Sequence, residues 1–435
     1  MPLHNPLWEV SEPYLTAAGV YKAHDPTYGR YLLPHHKPHG SLVDHAEVKH
    51  TFRRVFLKPA AQFKTWAEAY ETTDIVHSED VQLTEDEIAA GHKHGGRWIF
   101  YSVWEMESEP EGGWEEGGKG RGKDLILIHG GVLDGLRIAD PPGLSDYGLR
   151  YCPHVLHFLK AGFRVILPDL PSYGRSTGFV SLVTSEHTNC ASVNSYIPSL
   201  NLLPSAVHTV LKDVAKWDIE SGRGQRQVFL GGASMGGWTV MYYALKFPPA
   251  IIEAEDDSPS VDAAKDVKGP VPQVLGAFVL CPMVEVSKES RPSGVIEYLA
   301  HGIKYFAGVL PLAKAVRGNV SDDPRVEEDF FADPLCYHGL LRVGTGLSLL
   351  DGMTELHKNA EQIDIPIRIV HGTADRATSH HGTERLFPRL PHEDKSLQLY
   401  DGYEHVMLKV GIDEADDEKR QRVLADMRSW LVERS

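Results

Sequence analysis

The chain has 435 residues, 42% of them hydrophobic, and a formal net charge of −16 from 60 acidic and 44 basic residues. That length holds two or more domains or one large α/β domain with insertions. The acidic balance repels nucleic acid and anionic headgroups at long range, while leaving room for shallow apolar contact with a lipid surface. Four cysteines without a C-x-x-C pair (Cys152, Cys190, Cys281, Cys336) exclude a disulfide scaffold and a cysteine-built zinc site.

The N-terminal stretch Met1-Pro2-Leu3-His4-Asn5-Pro6 lacks a basic segment followed by an apolar one. No apolar run is long enough to span a bilayer, so the default expectation is a cytoplasmic protein with at most peripheral membrane contact. Residues 1–60 carry scattered prolines and histidines and read as an irregular extension. Within them His35-His36-Lys37-Pro38-His39 reads as a polar loop, because no closing set of metal ligands is visible.

Arg97–Trp104 is rich in β-formers and predicts a strand. The glycine-rich connection 110–123 is not a phosphate loop, since it lacks the Gly-Lys-Ser/Thr ending and no apolar strand leads into it. Asp124–Ile128 is a buried strand followed at once by His129-Gly130-Gly131. A helix near Cys152–Lys160 leads to the strand Phe163–Leu167 and the loop Pro168–Ser176. Residues 177–203 are polar and give no clear element, and Ala206–Trp217 predicts a helix.

Val228-Phe229-Leu230 is a short apolar run suited to a central parallel strand. Gly232-Ala233-Ser234-Met235-Gly236 follows it as a G-x-S-x-G turn, and Trp238–Leu245 then reads as a helix. This strand, tight turn and helix would expose a serine hydroxyl at the carboxyl end of the sheet, beside the helix N-terminus. An acidic insertion near 250–272, with Glu253, Glu255, Asp256 and Asp257, reads as a solvated loop rather than a metal site.

Leu275–Leu280, Pro366–Val370 and Leu397–Tyr400 are further strands, and a closing helix over 413–432 turns Val423, Met427, Trp430 and Leu431 inward. Too much chain separates Leu280 from Pro366 for a simple crossover. Within it Val295, Leu299, Ile303, Phe306 and Leu310 have the spacing of an amphipathic helix, placed to form a cap over the catalytic end of the sheet. Alternating strands and helices predict a mostly parallel sheet covered on both faces.

A serine hydroxyl needs a base, and the base needs an orienter. After a nucleophile elbow the expected chain order is Ser, Asp or Glu, then His. Asp375 follows the strand 366–370, and His405 follows the strand 397–400, so both fall on the rim that carries Ser234. Glu285, after the strand ending at Leu280, is the competing orienter, and Asp169 reads as structural, holding the loop after its own strand. The oxyanion hole needs two N–H donors, expected from Met235 and Gly131.

Several motifs together resemble the α/β-hydrolase superfamily, and within it the monoacylglycerol lipase-like group also labelled serine aminopeptidase S33. They are His129-Gly130-Gly131, Pro168-Asp169 with Tyr173-Gly174-Arg175-Ser176, Gly232–Gly237, Asp333-Pro334-Leu335, Gly372–Arg376 and Tyr403-Glu404-His405. The likeness covers about 123–435. It implies an α/β-hydrolase fold and an esterase or lipase of small monoacyl substrates, with an apolar tunnel under a helical cap. Ser234, Asp375 and His405 would be the triad, and Gly131 and Met235 the oxyanion hole. The chain departs from the group at Ala233, where His is common, and at Ser172-Tyr173-Gly174, where His-Gly is common.

The expected organisation is an extension over 1–60, a core in two parts over 61–282 and 336–435, and a cap insertion over 283–335. The leading reading is a serine hydrolase of carboxylic esters with an apolar acyl or alkyl part. It uses no metal or organic cofactor, takes a small apolar ester or lactone, binds no nucleic acid, and touches lipid surfaces transiently through the cap. The rivals are a lactonase, amidase or aminopeptidase with the same triad, and a non-catalytic ligand receptor that kept the fold.

Overall fold

Parallel strands cannot be joined by hairpins and must cross over through helices, and the chain follows that rule from Lys123 onward. The computed structural model describes residues 42–57, 76–79, 97–131, 146–176, 195–248, 271–285, 294–308, 310–313, 320–333, 335–337 and 341–435, with Val10, Pro13, Tyr14 and Ala17 besides. Its strands are β1 (Val48–Leu57), β2 (Val76–Glu79), β3 (Arg97–Met106), β4 (Lys123–Ile128), β5 (Arg164–Pro168), β6 (Gln227–Ala233), β7 (Val274–Leu280), β8 (Pro311–Ala313), β9 (Leu341–Arg342), β10 (Ile367–Gly372) and β11 (Lys395–Tyr400). Its helices are α1 (Cys152–Leu159), α2 (Leu202–Glu220), α3 (Met235–Lys246), α4 (Gly294–Ala307), α5 (Pro324–Ala332), α6 (Val343–Lys358), α7 (His380–Leu386) and α8 (Glu414–Glu433).

Nine strands form one sheet in the order β11-β10-β7-β6-β4-β5-β3-β1-β2, while β8 and β9 pair as a separate ribbon. The six strands from β11 to β5 are parallel, and β3, β1 and β2 continue the sheet antiparallel. Side chains that alternate along each strand feed two separate cores. Ile126, Ile128, Leu230, Ala277, Val279 and Ile369 pack under α2, α3 and α6. Leu125, Leu127, Phe229, Phe278, Leu280 and Val370 pack under α1 and α8. This is the mostly parallel, doubly covered sheet that the alternation of elements predicts, and Val423, Met427, Trp430 and Leu431 of α8 are buried as expected.

One expectation is corrected. Residues 1–60 are not irregular throughout, because β1 pairs with β3 along all ten of its residues. Its sequence, VKHTFRRVFL, hides the strand because Arg53 and Arg54 are both buried. Arg53 Nε donates to Tyr101 Oη at 2.7 Å, and its guanidinium lies 3.5 Å from Asp213 and 4.3 Å from the Trp217 ring centroid. Two arginines on what should be alternating faces break the pattern from which strands are read.

The long connection between β7 and β10 carries α4, α5, α6 and the β8–β9 ribbon. The amphipathic spacing around Val295–Phe306 is realised as α4, and Leu310 lies beyond its end. His35–His39, Cys190 and the acidic run 253–257 lie outside the described residues. Among the described residues no helix is long and apolar enough to cross a membrane.

A buried charge cluster fastens β4, β5 and α2. Arg164 donates to both oxygens of Asp124, at 2.9 and 2.6 Å, and to both oxygens of Asp218, at 2.7 and 2.6 Å. Removing one partner from such a group strands the other charges in a low dielectric. Arg164→Met should therefore lower unfolding stability by about 3–5 kcal/mol in urea titrations, and a loss under about 1 kcal/mol would show the cluster to be weakly coupled.

Candidate active site

The loops after the six parallel strands meet at the carboxyl edge of the sheet, and each is fixed by the strand before it. The turn after β6 is the tightest. Ser234 has φ 54° and ψ −116°, a left-handed backbone conformation held between strand and helix. Its N–H donates to Leu280 O at 2.9 Å, and its carbonyl accepts from Met283 N and Trp238 N, both at 3.0 Å. The flanking glycines are steric requirements. A Cβ on Gly236 would meet Ile128 O at 2.1 Å, and one on Gly232 would meet Gly236 O at 2.5 Å. The Ser234 hydroxyl is buried and has no hydrogen-bond partner among the described residues.

Asp375 sits in the loop after β10 and accepts from five donors. Its Oδ1 takes Ala377 N at 2.8 Å and Thr378 N at 2.9 Å. Its Oδ2 takes His405 Nδ1 at 2.7 Å, Thr378 Oγ1 at 3.0 Å and His371 Nε2 at 3.1 Å. Burial opposes ionisation, but His405 and His371 outweigh it and hold the carboxyl well below the usual carboxylate range. With Nδ1–H committed to Asp375, His405 keeps Nε2 as its basic nitrogen.

The structure thus joins Asp375 to His405 directly. It puts Ser234, His405 and Gly131 on the wall of one cavity of about 460 Å3, without a hydrogen bond from the serine hydroxyl to the imidazole. Glu285, the competing orienter, is paired with Arg385 on the outer surface. Asp169 does hold its own loop, accepting from Gly148 N at 2.8 Å and Arg175 N at 2.7 Å.

The Gly130-Gly131 turn lies against the elbow, since a Cβ on Gly130 would come within 3.2 Å of Ser234 Cβ. Its backbone is set by His129. Leu170 N donates to His129 Nε2 at 2.8 Å, so His129 Nδ1–H is left to donate to Gly130 O at 2.7 Å. Met235 is the first residue of α3, and its N–H has no acceptor within the helix.

Sequence reading assigned no role to His129, His371 or Thr378. The signal was positional: each histidine directly follows the apolar run of a buried parallel strand, where a side chain turns toward the rim.

Three of the four acids on the cavity wall are matched by bases, and Glu327 has no ion pair among the described residues. Asp146 lies 3.3 Å and Asp329 2.7 Å from Arg150, and Asp323 lies 2.7 Å from Lys409. Among the described residues two groups could present three metal ligands. In one, Cys281, Asp375 and His405, the carboxylate is already saturated with donors and burial pushes the Cys281 thiol well up. The other, His380, His381 and Glu384, lies on the outer face of α7.

Burial lowers His129 to about 4, His208 to about 4 and His154 to about 3, so each stays neutral in the fold. The unfolded chain protonates these rings near pH 6.5, and between that pH and the lowered values it binds more protons than the fold. Stability therefore falls as pH drops below about 6.5, by roughly 2 kcal/mol per buried ring at pH 5. Urea titrations at pH 7 and 5 should show this loss, and His129→Asn should remove one ring's share; an unchanged pH dependence in that variant would contradict the assignment.

The family model for serine aminopeptidase S33 hydrolases (Hydrolase_4) matches residues 141–409. A monoacylglycerol lipase of Mycolicibacterium smegmatis is 24% identical over 78% of this chain and 94% of its own length. A caffeoylshikimate esterase of Arabidopsis thaliana is 29% identical over 67% of this chain and 75% of its own. Among solved structures, a soluble variant of monoglyceride lipase from Saccharomyces cerevisiae, in complex with a substrate analogue, aligns with a TM-score of 0.54 at 16% identity, covering 78% of this chain and 92% of that one. That last likeness speaks to fold alone. With more than half its length matched by the family model, the chain belongs to the serine aminopeptidase S33 family of α/β-hydrolases.

Proposed function

We propose that this chain is a serine hydrolase that cleaves carboxylic esters with an apolar acyl or alkyl part. The observation that carries the reading is the meeting of a strained serine elbow and an Asp375–His405 pair, 2.7 Å apart, at one cavity. Turning about its Cα–Cβ bond, the unpartnered Ser234 hydroxyl presents its proton to His405 Nε2 as Oγ attacks the ester carbonyl. The imidazolium is stabilised by Asp375. The carbonyl oxygen takes the negative charge against the N–H groups of Met235 and Gly131. Collapse expels the alcohol, which takes the proton from His405 and leaves an acyl-serine. Water, deprotonated by the same imidazole, then attacks the acyl carbon and releases the acid and Ser234.

An apolar substrate is supported by Val320, Phe330 and Met407 on the cavity wall, and by relatives whose names are those of lipases and esterases. The insertion bearing α4 is read as the cap. Tyr298 and Leu299 on that helix are 80% and 58% exposed, which suits brief contact with a lipid surface. An aminopeptidase would need a free carboxylate to hold an ammonium group. The pairing of Asp146 and Asp329 with Arg150, and of Asp323 with Lys409, leaves Glu327 as the one cavity-wall carboxylate without an ion pair among the described residues.

Fluorophosphonate should label the wild-type chain, and Ser234→Ala should abolish labelling and lower esterase turnover by about 10^4-fold or more. An intact wild-type protein that stays unlabelled would favour the receptor reading. In a nitrophenyl-ester chain-length series run beside aminoacyl anilides, the esters should be preferred; faster anilide cleavage would move the assignment to a peptidase.

A further inference from the structure

We propose that His371 is a positioning residue that sets the basicity of His405 by sharing the carboxylate of Asp375. The inference rests on the hydrolase reading above. His371 closes the apolar run of β10 and its side chain is wholly buried. Its Nε2 lies 3.1 Å from Asp375 Oδ2, the same oxygen that His405 Nδ1 approaches to 2.7 Å. Its Nδ1 lies 2.9 Å from Thr383 Oγ1, in α7. A carboxylate can only accept. His371 therefore donates Nε2–H to Asp375, while its Nδ1 is held by the Thr383 hydroxyl. Thr378 Oγ1 donates a third bond to the same oxygen at 3.0 Å.

Sharing has an electrostatic consequence. Each donor on Oδ2 disperses its charge, and a more dispersed carboxylate stabilises the His405 imidazolium less. The charged and titratable groups around His371 are Asp375 on its own loop, His405 after β11, Cys281 at the end of β7, and His380 on α7, whose ring centroid is 6.2 Å away; His381 and Glu384 lie beyond His380. Cys281 is held as a neutral thiol by burial, and burial also lowers His380, aided by its histidine neighbours. Among the described residues Asp375 is therefore the one anion in direct contact with both imidazoles.

The test is the pH dependence of fluorophosphonate inactivation, which needs no knowledge of the natural ester. His371→Leu removes the donor. The acid limb of the inactivation rate should move upward by about half a unit to one unit. His371→Gln keeps an amide N–H where Nε2 was, and should hold the limb close to wild type. If the leucine variant gives no folded protein, His371→Asn carries the same expectation, because its shorter amide reaches toward Thr383 and not Asp375. An acid limb that stays in place in a folded donor-less variant, with only thermal stability reduced, would overturn the role. Failure of wild-type Ser234 to react at all would instead overturn the hydrolase reading, so the two failures are distinct.

Discussion

A serine at φ 54° and ψ −116° is the constraint on which the rest of the site depends. A side-chain-bearing residue is held in such a conformation at a cost of about 1–3 kcal/mol, and only where its surroundings over-determine it. Here β6 fixes one side and α3 the other. Gly232 and Gly236 let helix and strand approach until a single added methyl would strike backbone. Three backbone hydrogen bonds, to Leu280, Met283 and Trp238, then lock the turn. The result is a hydroxyl raised above the sheet next to a helix N-terminus whose first N–H is unused.

The other loops are arranged around that fixed point by the same device. Each emerges from a buried parallel strand, so its position is inherited from the sheet rather than from its own contacts. What the loops add is polar organisation. His129 pins the Gly130 carbonyl to the neighbouring loop through Leu170, and Asp375 gathers two backbone and three side-chain donors. His129, His154 and His208 are neutral because burial outweighs the contacts that would favour charging, which makes the fold's stability dependent on working above the mildly acidic range.

Much of this was legible in the sequence. The apolar runs at 124–128, 163–167, 228–230, 275–280 and 366–370 each became a strand, because a sheet covered on both faces demands unbroken hydrophobicity. Ser234, Asp375 and His405 were picked out as a candidate triad from order and position, and the structure brings two of them into contact and the third to the cavity wall that His405 also lines. What stayed hidden had physical reasons. β1 was masked by two buried arginines, and the partners of Arg53, Tyr101 and Asp213, are distant in the chain. His371 was visible as a letter, yet its meaning depends on Thr383 and Asp375 meeting it from different turns, which no local pattern encodes. The glycine pair at 130–131 pointed to a loop against the serine turn, but not to the histidine beside it as its anchor.

The most direct measurement is a crystal structure of the chain after reaction with a small fluorophosphonate. The account predicts phosphorus bonded to Ser234 Oγ, its phosphoryl oxygen facing the backbone N–H groups of Met235 and Gly131, and His405 Nε2 within hydrogen-bond reach of an adduct oxygen while Nδ1 stays on Asp375. Phosphorus on another residue, or an adduct at Ser234 with the phosphoryl oxygen turned away from both N–H groups, would contradict it.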